Sequence, residues 1–343
     1  MNWRHWVVIG GAVVIAALGL VLEGQPFWLR VLTFAMLMSA VAQSWNLLAG
    51  YTGQWSLAQL AFFGIAAYVA GMIEIYSGVP LLIGLLPAVG ITAIIAAVIG
   101  LATMRLRGHY FAVVTFFMLA ALFELVRYFA DYTGGQYGMT LPFEDGNNVL
   151  MLQFDNRLSY YYAAFIVMVL ATVILWATVK SPLGLILRSI RDDQDSAAAL
   201  GVRTLGTKVL AMTISSVMAG IAGVVYLGWS KLMDAETAFG VHNSLDPVVG
   251  GILGGAGQLM GGVVGQFALR PIVATVYDVF GSLPGISSLA YGVILMLVIL
   301  LLPKGLLGLK VPQRSAGKVS GFESWRDRTG DKVKAVLSGK KGS

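Results

Sequence analysis

The chain has 343 residues, 57% of them apolar and only 12% charged, against ~25% charged in ordinary globular chains. That apolar share is about 196 residues, roughly what ten membrane-spanning helices of ~20 residues need, and it argues against a soluble cytoplasmic enzyme. The net charge of +6 is concentrated in the last stretch, where residues 304–343 hold ten basic and three acidic side chains, so it reflects the positive-inside bias of membrane proteins rather than affinity for nucleic acid. Cysteine is absent, which removes disulfides, thiol catalysis and cysteine-ligated metals. The three histidines, His5, His109 and His242, are scattered and do not form a metal-ligand pattern.

In chain order, apolar runs occupy residues 7–22, 28–49, 57–77, 81–103, 110–130, 158–179 and 208–229, then a glycine-rich stretch at 246–280, then 286–302. The first run follows Arg4 and is not followed by a small-x-small cleavage pattern, so it reads as an uncleaved span. Basic residues resist translocation. This places the loop holding Arg105 and Arg107, and the loop from Lys180 to Lys208, on the cytoplasmic side. The alternate turns are acidic or neutral, with Glu23, Glu74, Asp131, Glu144, Asp145 and Asp155. Nine crossings leave the basic tail outside, whereas dividing 246–280 into two gives ten and brings the tail in, at the cost of putting Arg270 and Pro271 inside a span. The expectation is an all-α polytopic membrane protein with about ten transmembrane helices.

The loop 180–207 is the most informative stretch. Ser181-Pro182 signals a helix start, and alternating apolar and charged residues predict two short amphipathic helices. Asp192, Asp193 and Asp195 lie where the second helix begins, which its dipole favours, and Gly201 suits a left-handed terminator. Such a loop serves either as an ordinary solvated connection or as a docking element. Earlier in the chain, Asn46, Tyr51, Gln54, Ser56 and Gln59 form a polar segment punctuated by Gly50 and Gly53, either an interfacial turn or backbone lining a passage. His109 reads as an interfacial hydrogen-bonding residue before a proton relay. Glu124 and Arg127 share a helix face, as a local ion pair or a substrate contact. Thr133-Gly134-Gly135 marks an outer mouth or a plain loop. Gly250/Gly254 and Gly257/Gly261 have the small-x-x-x-small spacing of close helix packing. No G-x-x-x-x-G-K-[ST] occurs, so the chain has no phosphate loop for ATP.

Asp195-Ser196-Ala197-x-x-x-Gly201 resembles the E-A-A-x-x-x-G coupling motif of ABC-importer permeases. The longer string from Arg188 through Arg191 to Gly201 resembles the corresponding loop of the branched-chain amino-acid permeases, the LivH/LivM family, and its LivM side in particular. The segments Trp45–Leu57, Ala61–Tyr68, Leu106–Ala112, Thr133–Gly135 and Leu302–Gly308 agree in order. Trp55, Gln59 and the tail beyond residue 310 depart from the shared pattern. The resemblance implies a transmembrane permease domain at 1–310 with a cytoplasmic coupling helix in 180–207, and a basic cytoplasmic tail at 311–343, disordered or lying on anionic lipid. It implies a non-enzymatic, multi-pass subunit of the bacterial inner membrane, partnered by a second related permease, two cytoplasmic ABC ATPases and a periplasmic substrate-binding protein, and needing no cofactor. Arg188, Arg191, Asp195, Ala197 and Gly201 would carry ATPase coupling. Asn46, Tyr51, Gln54, Ser56, Gln59, His109 and Glu124 would line the translocation pathway for a branched-chain amino acid or a related small zwitterion or amide. The alternative is an ion- or proton-coupled secondary transporter, which needs buried carboxylates along a pathway.

Overall fold

The computed structural model describes residues 3–106, 108–142 and 146–280, and beyond them 289, 292, 293, 296 and 305–308. Helices account for most of it: α1 (Trp3–Val21), α2 (Pro26–Trp45), α3 (Gln59–Ser77), α4 (Leu81–Thr103), α5 (His109–Tyr128), α6 (Ala130–Thr133), α7 (Arg157–Lys180), α8 (Pro182–Asp192), α9 (Gln194–Ala199), α10 (Thr204–Ser230), α11 (Ala235–Phe239), α12 (Val241–Gly254) and α13 (Gly261–Phe280). A π-helix, Asn46–Tyr51, continues α2, and one two-residue antiparallel ladder joins β1 (Met139–Thr140) to β2 (Leu232–Met233).

Among the described residues, six helices are long and apolar enough to cross a membrane: Pro26–Tyr51, Gln59–Ser77, Leu81–Thr103, Tyr110–Tyr128, Arg157–Lys180 and Thr204–Ser230. The expected ten is therefore not reached by them. The glycine-rich stretch does divide, into α12 and α13 around residues 255–260. Yet α12 has 14 residues, about 21 Å at 1.5 Å per residue, and cannot cross a ~30 Å hydrocarbon core alone. α13 is 20 residues long but less apolar, with Gln266, Arg270 and Asp278 in it. The run 286–302 and the tail fall almost wholly outside the described residues.

α2, α3 and α10 form the centre of the bundle. α10 packs on α3 and α4, and α2 packs on α7, α13 and α10. Small residues set these approaches. The buried face of α4 is Leu81, Gly84, Ala88, Thr92, Ala96 and Gly100, close to an i, i+4 stripe that lets helices draw together where lipid supplies no hydrophobic drive. A side chain at Gly223 would run into the Phe63 backbone, and one at Gly251 into the Trp45 ring. The glycine packing expected of Gly250, Gly254 and Gly261 is found between α12 and α13, where Gly254 abuts Gly261 and Gly265 abuts Gly250, whereas Gly257 lies in the loop between the helices, against Gly50.

The chain after α10 folds back into the bundle. Lys231 ends α10 in the left-handed conformation, φ 59°, with its Nζ donating to the Leu152 carbonyl at 3.2 Å. Burial pushes the Lys231 ammonium down from 10.5 to about 8, opposed by the charge of Glu74. α11 then lies against α3, with Phe239 stacked on Tyr68 at 5.9 Å. α12 runs on until its following loop, at Gly257, meets Gly50 on the π-helix. α13 returns antiparallel to α2, with Gly262 beside Ala42 and Gln43 and Arg270 beside Phe34.

Candidate functional site

Residues 181–203 fold as two short helices, as their spacing predicts. Pro182 opens α8, and the face of Gly184, Leu187 and Ile190 is buried. Asp193 is the N-cap of α9, its carboxylate accepting from the backbone N–H of Asp195 at 2.9 Å and Ser196 at 3.1 Å. This satisfies two of the orphan donors that a helix start exposes. Gly201 adopts φ +87° in open space, so the backbone conformation, not crowding, requires glycine there. Ala197 is buried, while Arg188, Arg191 and Asp195 are exposed. Lys208, buried at the start of α10, donates to the Gln194 side chain at 2.6 Å and ties α9 to the bundle. Spacing identified Lys208 only as an orientation charge; its burial is what gives it this role.

The polar segment 46–59 does not break at Gly50. The helix widens into π turns through Tyr51, and the left-handed kink comes at Gly53, φ +73°. The helix ends within two residues of Gly50, so that carbonyl is left to an outside donor, and Arg191 Nη1 supplies it at 2.8 Å. Arg188 lies over the Tyr51 ring at 5.4 Å. Asn46 is fully buried; its Nδ2 donates to the Gln258 carbonyl and its Oδ1 accepts from Gly257 N–H, both at 2.7 Å. A side chain at Gly50 would strike Asn46 and Gly257. The π-helix is thus clasped on one side by α8 and on the other by the loop between α12 and α13.

Farther in, Gln59 is buried at the start of α3. Its Oε1 accepts from Ser44 at 3.2 Å and Ser215 at 2.9 Å, joining α2, α3 and α10, while its Nε2 has no partner. Gln54 and Ser56 are buried too, Ser56 Oγ accepting from Ala58 N–H at 3.2 Å. Asn46, Tyr51, Gln54, Ser56 and Gln59 are therefore all buried, a polar belt along the chain whose members reach different neighbours. His109 opens α5 after Gly108; Glu124 sits on the exposed face of α5, paired with Arg127 at 3.1 Å, and does not join that belt. Thr133 closes the turn after α6, accepting from Gly135 N–H at 3.1 Å.

A second polar feature went unread in the sequence. Asp246 on α12 and Arg270 on α13 form a buried ion pair, with Arg270 also 4.1 Å over the Phe34 ring. The two residues are 24 positions apart across a helix reversal, beyond the reach of any local spacing rule.

A family model described as the permease component of branched-chain amino acid transport systems matches residues 27–302. The chain is 27% identical over 306 residues to the high-affinity branched-chain amino acid transport system permease protein LivM of Escherichia coli (strain K12), covering 82% of this chain and 70% of the relative. It is 23% identical over 275 residues to a probable branched-chain amino acid transport permease protein LivM of Methanocaldococcus jannaschii, 72% and 78% of the two chains. A shorter match, 31% over 112 residues, is to the autoinducer 2 import system permease protein LsrC of Photorhabdus laumondii subsp. laumondii, 32% of this chain and 34% of the relative. No solved structure matches the chain.

Proposed function

The chain belongs to the family of permease components of branched-chain amino acid transport systems, and from that premise we propose that it imports a branched-chain amino acid or a related small zwitterion or amide. It is a transmembrane permease component of an ABC-type importer, a transport subunit and not an enzyme, in a multi-pass inner-membrane setting. Family membership sets aside the ion-coupled secondary transporter. A second permease subunit, two cytoplasmic ATPases and a periplasmic binding protein are the partners that this family implies.

In our reading α8 and α9 are the cytoplasmic coupling element within a permease domain at 1–310, and the basic tail from 311 shares that side. The observation that carries it is the bond from Arg191 to the Gly50 carbonyl. An ATP-driven importer needs an element that seats on the ATPase and moves the spans. Arg191 links an exposed helix to the π-helix that ends a central span, and Asn46 extends the link to the loop after α12. Motion of α8 is thereby delivered to two interior elements at once. Asp195 and Gly201 shape the docking surface, and the buried belt from Asn46 to Gln59 forms the base of the passage.

The test is co-expression with candidate ATPase and binding-protein partners, measuring complex formation and leucine uptake. Asp195→Ala and Gly201→Val should weaken ATPase association. Arg191→Met should preserve association and cut uptake about tenfold, corresponding to loss of ~1.4 kcal/mol of coupling. Unchanged uptake in all three variants would sink the coupling assignment.

A further inference from the structure

We propose that the space beside the Asp246–Arg270 pair is a binding station for an aliphatic α-amino acid, in which Arg270 takes the carboxylate and Asp246 the ammonium. The inference rests on the permease reading above and names where, on this chain, its substrate is held. The cavity measures about 120 Å³ and has an apolar wall that includes Phe34, Leu60 and Phe63, with Thr237 and Asn243 beside Asp246 and Arg270 at its polar side. It lies between α2, α3, α10 and the re-entering α11–α13 segment. Phe34 is on the third turn of α2.

Three features point to a ligand there. First, the Arg270 side chain is only 11% exposed, and its Nε–H has no partner although one Nη2–H is held by Asp246. A guanidinium has five donors in a fixed fork suited to a carboxylate, so a donor remains for a second acceptor. Second, a buried pair gains little stability over apolar residues of the same shape, and ionisable groups inside a membrane protein commonly mark a substrate path. Third, the charges are complementary to a zwitterion. An α-amino acid brings one carboxylate and one ammonium, so partner exchange with Arg270 and Asp246 keeps the filled cavity neutral. No charge is stranded at low dielectric. The aromatic and aliphatic wall then accepts a branched side chain. A neutral polyol lacks the two charges that such an exchange needs.

The experiment uses the importer assembled with its partner subunits. Wild-type vesicles are assayed for ATP-driven uptake of radiolabelled L-leucine and L-valine, and the complex without binding protein is assayed for thermal stabilisation by L-leucine, by isopentylamine and by 4-methylpentanoate. Leucine should stabilise the wild-type complex saturably, and the two analogues, each with one charge, should require at least roughly tenfold more. Asp246→Leu/Arg270→Met is isosteric and apolar, so the complex should assemble yet lose leucine stabilisation and most uptake. A structural pair predicts uptake within about twofold of wild type, which overturns the proposal. Leu60→Phe keeps the pair and narrows the cavity; it should lower the leucine-to-valine uptake ratio about tenfold, the discrimination that one methylene allows. An unchanged ratio overturns the proposal even where the pair variant fails to assemble. Wild-type vesicles that import no aliphatic amino acid refute the substrate reading itself, whereas normal leucine import with unaffected variants refutes only the station.

Discussion

The span Pro26–Tyr51 and the helix α5 are both apolar enough to cross a membrane, yet across an 18-residue apolar stretch of each, 89% is buried in one and only 22% in the other. The more buried span is the more polar. It carries Ser39, Gln43, Ser44 and Asn46, all buried, while α4, α5 and α7 turn Leu86, Ile94, Phe117 and Ile166 outward. In water the apolar helix would be inside. Around lipid, apolar surface gains nothing by hiding, and burial goes to small residues that pack closely and to polar groups that need partners. The inner helices are therefore specified by contacts, and the outer ones mainly by composition.

Breaking the inner packing should cost the most. Gly265→Leu forces a side chain into the Gly250 backbone, and at about 3 kcal/mol or more of overpacking it should abolish stable protein in the membrane fraction. Ile94→Ala on the outer face of α4 should change stability by no more than ~0.5 kcal/mol, measured by thermal melting in detergent. Equal losses from the two variants would erase the distinction.

Asn46→Leu should come next. It leaves Gly257 N–H and the Gln258 carbonyl buried without their present partner, at about 1–3 kcal/mol for each group left unsatisfied. A fall in melting temperature together with lost uptake is the expected outcome, and a neutral result would mean that water replaces the side chain.

Lys231 sharpens the comparison at the bundle's edge. Its value of about 8 lies below the ordinary 10.5, so between those two pH values the unfolded chain binds more protons at this site than the folded one. Stability must then rise with pH across that window, while below it the cost of burying the ammonium is fully present. Lys231→Met should remove this rise, seen as the difference between variant and wild-type melting temperatures from pH 7 to 10. A parallel pH dependence in both would refute it.

The smallest effect belongs to Glu124→Ala. The pair with Arg127 is exposed on both sides, and such pairs contribute ~0–1 kcal/mol. Stability and leucine uptake should both stay near wild type; a large loss of uptake would return Glu124 to the pathway.

Six of the expected ten spans, the two helices of the 180–207 loop and the glycine at 201 were legible in the sequence, because hydropathy, capping and left-handed backbone are local properties of neighbouring residues. The polar stretch from Asn46 to Gln59 was legible too, with Gly50 and Gly53 as its punctuation; the helix continues in π turns through Gly50 and kinks at Gly53. What only the tertiary structure decided is which groups meet. Arg191 and Gly50 are 141 positions apart, Asn46 and Gly257 are 211, and Asp246 finds Arg270 only because the chain reverses between α12 and α13. The same reversal leaves α12 too short to cross. A buried polar group must find a partner, but its own neighbours in sequence do not say which distant one the packing will bring to it.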